Sequence, residues 1–476
     1  MAIRLKYTGL LMFAFSILSL FTGLVFSSLV ARELAKFDYG VWVFITGILT
    51  YFQFSQGLVT PWAFRDIARG KTVEKTCVAS GLLLSIPPFI AYIIAAPFLS
   101  NIIGSSTSFF YLSSLFIPVY FVVEGFSTVI GARLPHRLAY RDLILDSIKI
   151  FLILWLIRFG LTGFIATVLI AYCGYISYCL YITKDFMQSE LDLRSLKRWL
   201  SCSWINLYGD VGSTIVSGLS ILLLGIFVSP LILGTWGIAL AVARLLKTSS
   251  NLPIALYPKL LSEGEEKNTP VKEAVMLTLM FLVPMAVGCY LLAPNLIEIY
   301  GSKYLDGLPA LYILIPNYFI NVIGGISDTA ISAADKVDLE EHFSATKWLR
   351  SNIFFLGSLN YLNAIISVPL MLFLIPKYGI IGCAMAILAV SIMTFLIKSL
   401  KFNVLKSISY TRLVKFLLAS FIMSIFIQVI YGRGTLITFS AIIGGVVVYF
   451  VSLLILDEQT RNLLSRILNE VRGMKK

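Results

Sequence analysis

Unbroken apolar runs constrain this chain more than any single motif. About fourteen segments are long enough to cross a hydrocarbon layer of roughly 30 Å. They fall near 8–30, 40–62, 77–98, 109–131, 143–158 and 161–182, then 203–228, 231–257, 272–294, 308–330, 354–375 and 378–399. Two more lie near 411–431 and 435–456. A run of this length satisfies its own backbone in lipid only as a helix, and it is too long and too uniform for a barrel strand. Composition agrees: hydrophobic residues make up 58% and charged residues 13%, about half the charged share of a soluble domain. The expected fold class is an all-α polytopic membrane protein with about fourteen transmembrane helices. The first run begins after Arg4 and Lys6 but ends in Arg32-Glu33 rather than a small-residue cleavage site, so it reads as a retained span.

The chain also repeats itself. Ala96-Pro97-x-Leu99-x-x-Ile102-x-Gly104-Ser105 recurs as Ala293-Pro294-x-Leu296-x-x-Ile299-x-Gly301-Ser302, and Ile117-Pro118-x-Tyr120-Phe121 recurs as Ile315-Pro316-x-Tyr318-Phe319. The same offset carries Pro87 onto Pro284 and Tyr39-Gly40 onto Trp236-Gly237. Farther on, Phe159-Gly160-x-x-Gly163 matches Tyr378-Gly379-x-x-Gly382 at a larger offset, which an insertion near 332–352 explains. Matches sharing one offset indicate duplication. The organisation that follows is an N-terminal lobe at 1–182, a cytoplasmic connection at 183–202, a C-terminal lobe at 203–400, and two further helices with a basic tail at 401–476. The two lobes of six helices are expected to be pseudo-symmetric. Duplicated halves in a membrane chain point to transport.

The net charge of +13 is not a nucleic-acid footprint. With the N-terminus inside, cytoplasmic segments hold about 29 of the 38 Lys and Arg residues and outer loops about six, the asymmetry that orients helical membrane proteins. Both termini are then cytoplasmic, the location is the cell membrane, and the excess charge meets anionic headgroups of membrane lipids. The six cysteines have no metal or redox spacing. The two histidines, His136 and His342, sit in basic loops. No loop carries the acid and base groups that a membrane glycosyltransferase would need, and no nucleotide signature is present. The chain is expected to be no enzyme and to hold no cofactor or metal. A coupling ion, H+ or Na+, is left open.

Ionisable residues within spans are costly and tend to mark a pathway. Arg244 lies roughly 20 Å in from the outer face, with Lys247 one turn deeper; Glu124, Lys149 and Asp210 lie roughly 9–11 Å in from the cytoplasmic ends. Two assignments compete. Asp146 with Lys149, and Asp210 with Arg244, form structural pairs; or Arg244 and Lys247 hold an anionic phosphate or pyrophosphate. Counting Asp146, three cations face three anions, so no strongly positive cavity follows from number alone. Arg65 sits at the inner end of the second segment, as a headgroup anchor or a site residue. Gln53, Gln56 and Asn206 bridge helices or contact sugar hydroxyls.

The run LAPNLIEIYGSKYLDGLPALYILIP is similar to the ninth-to-tenth helix hairpin of polysaccharide flippases of the MOP superfamily, which are related to MATE transporters. LIPKYGIIGCAMA, AREL-AKFDYGVWVF and LYPKLLSEGEE resemble other turns of that family. The resemblance implies two six-helix bundles around a central cavity, alternating access, and movement of a lipid-linked oligosaccharide (on polyprenyl or dolichyl phosphate or pyrophosphate) to the outer leaflet. It also implies a monomer working beside neighbouring glycosyltransferases. The alternative is a MATE-type cation-coupled exporter, which needs a carboxylate in its cavity. The first segment has no Asp or Glu before Glu33, which favours the flippase.

Overall fold

The computed structural model describes residues 2–138, 140–188, 190–255, 268–334, 349–402, 408–432 and 434–462, for some of them, Asn206 included, the backbone alone. Residues 256–267 and His342 lie outside the described residues. All regular structure among the described residues is helical. The helices are α1 (Ala2–Glu33), α2 (Lys36–Gln53), α3 (Thr60–Ala68), α4 (Glu74–Ile103), α5 (Thr107–Ser114), α6 (Phe116–Arg133), α7 (Pro135–Leu138), α8 (Arg141–Leu156), α9 (Gly160–Thr183), α10 (Leu193–Cys202), α11 (Trp204–Phe227) and α12 (Pro230–Arg244). They continue as α13 (Asn268–Leu291), α14 (Ala293–Tyr300), α15 (Leu308–Ala334), α16 (Asn352–Phe402), α17 (Tyr410–Ile430) and α18 (Thr435–Leu456). Ten stretches of the described residues are long and apolar enough to cross a membrane, and two of these, Pro135–Thr183 and Phe354–Lys401, are more than twice the length one crossing needs. The protein is a multi-pass membrane protein. Its apolar side chains point outward as well as inward: Ile94, Phe98, Val429 and Leu436 are exposed, as hydrocarbon permits and water does not.

By contact the chain divides into two compact units, Met1–Gly237 with Phe343–Ala386, and Ile238–His342 with Ile387–Lys476. In the first, α6 packs against α4 and α9, α8 against α1 and α9, and α11 against α2. Its interior contains Val123, Phe126, Ile130, Ala171 and Tyr175. A second cluster around Val59, Ile67, Cys77 and Trp199 anchors α10, an amphipathic helix within the connection that apolar runs alone do not reveal. The buried carboxylate of Asp66 accepts a hydrogen bond from Trp199 Nε1 at 2.8 Å, one from Lys71 Nζ at 2.9 Å, and a contact from Arg198. Burial works against its charge, but these donors hold the carboxyl below the usual carboxylate range. In the second unit α13 packs against α15 and α17, and α17 pairs with α18. Tyr449 Oη donates to the Met280 carbonyl at 2.6 Å. Asp457, at the end of α18, accepts from Lys415 at 3.0 Å and from Thr460 Oγ1 at 2.7 Å.

Two elements differ from the expected spans. The segment at 40–62 is not one helix: α2 ends at Gln53, a 3-10 turn covers Phe54–Leu58, and α3 starts with Pro61 in its first turn. Proline has no N–H for the ladder and clashes with the carbonyl four residues back, so Pro61 suits the first turn of a new helix and favours a break here, although α4 runs on through Pro87, Pro88 and Pro97. The hairpin after residue 294 is likewise no simple loop, since α14 and a 3-10 segment at Ser302–Gly307 fill it.

The duplication persists in the backbone. Gly160 has φ 60° and ψ −140°, and its repeat partner Gly379 has φ 57° and ψ −131°. Both separate consecutive long helices, in the second case within α16. Side chains are excluded from this conformation, and each break is followed by a glycine pressed on the preceding helix. A Cβ at Gly163 would fall 1.9 Å from the Leu156 carbonyl oxygen, and one at Gly382 would fall 2.2 Å from that of Leu374. Both second helices of the repeat also tighten to 3-10 geometry, at Phe54–Leu58 and at Leu245–Ala255. Gly160→Ala and Gly379→Ala are each expected to destabilise the protein by about 1–3 kcal/mol. Thermal unfolding of the purified variants checks this, and equal stability with wild type would remove the strain argument.

Candidate functional site

Within the first unit the polar residues inside the bundle are matched to one another. Glu124 of α6 accepts from Arg141 Nη2 at 2.5 Å, and Arg141 Nη1 donates to Ser127 Oγ at 3.2 Å. By sequence Arg141 falls in a cytoplasmic loop; it is instead the first residue of α8, and its guanidinium reaches inward along α6. One turn deeper, Lys149 pairs with Asp146 at 3.2 Å, the i,i+3 spacing anticipated from sequence. Thr22 of α1 donates to the same carboxylate at 3.3 Å. The Lys149 ammonium also lies 5.5 Å from the centre of the Phe26 ring and 5.8 Å from that of Tyr172. Helices α1, α6, α8 and α9 therefore meet through two ion pairs whose charges cancel.

A second group gathers at the 3-10 turn after α2. Gln53 closes α2 and Gln56 lies on the turn, both half-buried. Asp210 of α11 leans over Gly57: a Cβ there would come 2.1 Å from Asp210 Oδ2. Tyr51 closes the same helix contact, its hydroxyl donating to the Ile215 carbonyl at 3.3 Å while its ring covers Gly218. Among the described residues of its unit, no cation pairs with Asp210. Arg65 stands on α3 beyond the turn, with its guanidinium 5.1 Å from the Trp62 ring centre. The side chain of Asn206 lies outside the described residues.

In the second unit Arg244 is the last residue of α12, and Lys247 sits on the 3-10 segment that follows; both are exposed. Arg244 Nε donates to Tyr318 Oη of α15 at 3.3 Å. Sequence reasoning passed over the polar row that Tyr318 adjoins. Asn317, Asn321 and Asp328 lie on one stripe of α15, as their spacing of four and seven residues dictates. Asn321 Nδ2 donates to Asn317 Oδ1 at 3.1 Å and to Ser391 Oγ at 3.2 Å. Lys398 pairs with Asp328 at 2.8 Å. Asp328 and Lys398 fall near the ends of expected spans, where charge raises no alarm; the four-residue spacing of the asparagines was the signal available. The row offers amide and hydroxyl groups next to an exposed guanidinium, a combination able to bind hydroxylated and anionic groups together.

Because the Glu124–Arg141 pair is largely removed from water, losing one member leaves an uncompensated charge. Glu124→Gln or Arg141→Met alone should cost about 3–5 kcal/mol, and the double variant should recover much of that loss. A double-mutant cycle on thermal stability measures it, and additive losses would show that the pair is not coupled.

The sequence profile of a family described as polysaccharide biosynthesis protein matches residues 29–309, more than half of the 476-residue chain. A search of curated proteins finds no match. Among solved structures, the chain is similar to a lipid II flippase, MurJ, in an inward closed conformation. The TM-score is 0.73 at 15% identity, covering 96% of this chain and 100% of that one. It is also similar to an inward-facing MATE family multidrug resistance transporter of the MOP superfamily, with a TM-score of 0.59 at 13% identity over 84% and 99% of the two chains. The MATE multidrug transporter DinF-BH gives a TM-score of 0.58 at 15% identity over 84% and 94%. With its duplicated halves, its helical breaks at Gly160 and Gly379, and a profile match over most of its length, the chain belongs to the polysaccharide biosynthesis protein family and has the fold of MOP-superfamily flippases and transporters.

Proposed function

We propose that the protein is a flippase that moves a polyprenyl- or dolichyl-linked oligosaccharide, joined through phosphate or pyrophosphate, from the cytoplasmic to the outer leaflet of the cell membrane. Membership of a polysaccharide biosynthesis family and a fold shared with a lipid II flippase support this reading. The observation that carries it is Arg244. Its guanidinium lies well inside a spanning segment, remains exposed, and is steadied by a neutral hydroxyl rather than by a carboxylate. It therefore keeps its charge available for a phosphate oxygen. Lys247 lies beyond it towards the side that the Lys and Arg distribution assigns to the cytoplasm, and Asn321, exposed and braced by buried Asn317, offers its amide oxygen to sugar hydroxyls. The headgroup is carried between the two repeats while the lipid tail stays in the bilayer, and access alternates as the repeats rock. No chemical step is needed: the substrate leaves with every bond it brought. Asp210 is the residue through which the alternative, a cation-coupled exporter, would have to act.

Arg244→Ala should reduce glycan export at least about tenfold with protein abundance near normal, while Arg244→Lys should retain part of it because the charge survives and the bidentate fork is lost. Export of surface glycan in cells depleted of the native protein provides the measurement; full export by Arg244→Ala overturns the assignment. Orientation is testable separately. A cysteine introduced in the Lys303 loop should react with an impermeant thiol reagent from outside and one in the Lys267 loop should not, whereas the opposite pattern reverses the direction of transport proposed.

A further inference from the structure

The helix α10, in the connection between the repeats, carries three different stripes. Asp192 caps its start: the carboxylate accepts from the backbone N–H groups of Arg194 at 2.9 Å and Ser195 at 3.2 Å, which satisfies donors the helix itself leaves open. Ser195 and Trp199, four residues apart, form the buried stripe. Three contacts fix how far the helix is turned about its axis. The Asp192 N–H donates to Thr76 Oγ1 of α4 at 2.9 Å, Trp199 Nε1 to the buried Asp66 carboxylate at 2.8 Å, and Ser203 Oγ to the Leu58 carbonyl at 2.5 Å. The remaining stripes are thereby held outward. Leu193, Leu196 and Leu200, at i, i+3 and i+7, make an apolar edge. Leu193 is 70% exposed and Leu200 43%, while Leu196 is half-buried against the cluster around Trp199. Next to this edge run Arg194 and Lys197, both exposed. With Arg198, which turns back to Asp66, they give α10 three cations and no acidic residue. At 100° per residue the apolar edge falls between the seated face and the cationic one.

We infer that α10 lies in the membrane interface and binds anionic phospholipid, with Leu193 and Leu200 among the acyl chains and Arg194 and Lys197 on the phosphates. Two observations name this occupant. The first is depth. Thr76, which receives the start of α10, lies in the first turn of α4, itself a membrane-crossing stretch. At the other end α11 begins at Trp204, just after α10 stops at Cys202. Both ends of α10 are therefore held where spans leave the hydrocarbon, which is the level of the headgroups. Trp204 is half exposed there, as tryptophans at that level commonly are. The second is complementarity. Acyl chains adjoining a layer of phosphates match an apolar edge adjoining a cationic one, and both stripes are satisfied by one surface. The contact also reaches inward. Trp199 is bonded to Asp66 of α3, and Ser203 to Leu58, the last residue of the 3-10 turn over which Asp210 leans. Such a site is independent of the cargo the protein carries.

The test uses full-length protein in phosphatidylcholine vesicles, carrying a bimane label on Leu193→Cys, Leu200→Cys or Ser201→Cys. Cys173 and Cys202, which are not buried, are first replaced by serine. Lipids brominated on their acyl chains quench the label on contact. Brominated phosphatidylcholine should quench the label at positions 193 and 200, and much less at 201 on the cationic side. Brominated phosphatidylglycerol should bind about fivefold more tightly at both leucine sites, the order expected of a cation or two near a lipid surface. Arg194→Gln together with Lys197→Gln should bring the two lipids level while quenching by phosphatidylcholine persists. Absence of quenching at 193 and 200, the result if the edge faces water or a protein partner, overturns the membrane placement. Equal affinity for the two lipids with Arg194 and Lys197 in place, or a preference that survives their replacement, overturns the anionic assignment. If the double variant does not elute as wild type, raised salt on the protein with both cations decides instead: screening should abolish the preference, and an unchanged preference counts against these two residues.

Discussion

A charge inside hydrocarbon must be answered by a neighbour, and much of this structure follows from how each charge is answered. Glu124 meets Arg141, Asp146 meets Lys149 with help from Thr22, and Asp328 meets Lys398. These contacts fix which helices lie side by side and at what depth. Since each pair sums to zero, the pairs contribute little to any long-range field. Arg244 stands apart because its visible partner, Tyr318, is neutral. A guanidinium so placed is steadied by a hydroxyl and not neutralised by it, which is why the proposed headgroup contact is assigned to it.

Helix contact in such a medium depends on closeness more than on expulsion of water. The packing of α11 on α2 illustrates this. Gly218 lies under the Tyr51 ring and Gly57 under the Asp210 carboxylate, and neither site has room for a methyl group. The glycine at position 57 also lies within the 3-10 turn that separates α2 from α3. One residue thus permits the polar group, the close approach and the change in winding together.

The helical architecture was largely legible because it depends on features a linear sequence displays: run length and the offset of repeated prolines and glycines. Gly160 and Gly379 show how far this extends, since a match at three positions of one offset anticipated two nearly identical backbone breaks. The site was less legible. Arg141 looked like a loop cation because its position in sequence does not reveal where a long side chain ends. Asp328 and Lys398 lay too close to span boundaries to stand out, and their partnership joins helices seventy residues apart. The connection at 183–202 looked featureless by hydropathy, whereas α10 is amphipathic and is seated by Trp199 on Asp66. The break at Phe54–Leu58 was signalled by Pro61, but apolar content masked it.

The eleven residues from Leu245 to Ala255 form a 3-10 segment, longer than the three or four residues at which such helices usually stop. A 3-10 helix rises about 2.0 Å per residue against 1.5 Å for an α-helix, with three residues per turn against 3.6. The segment is therefore about 5 Å longer than the same residues would be if rewound, and its far end is rotated by more than half a turn. Lys247 and Ser250, eclipsed in the present winding, would separate around the axis. Just beyond Arg244, the chain thus holds a stretch in which length and rotation are interchangeable: a screw thread of two possible pitches.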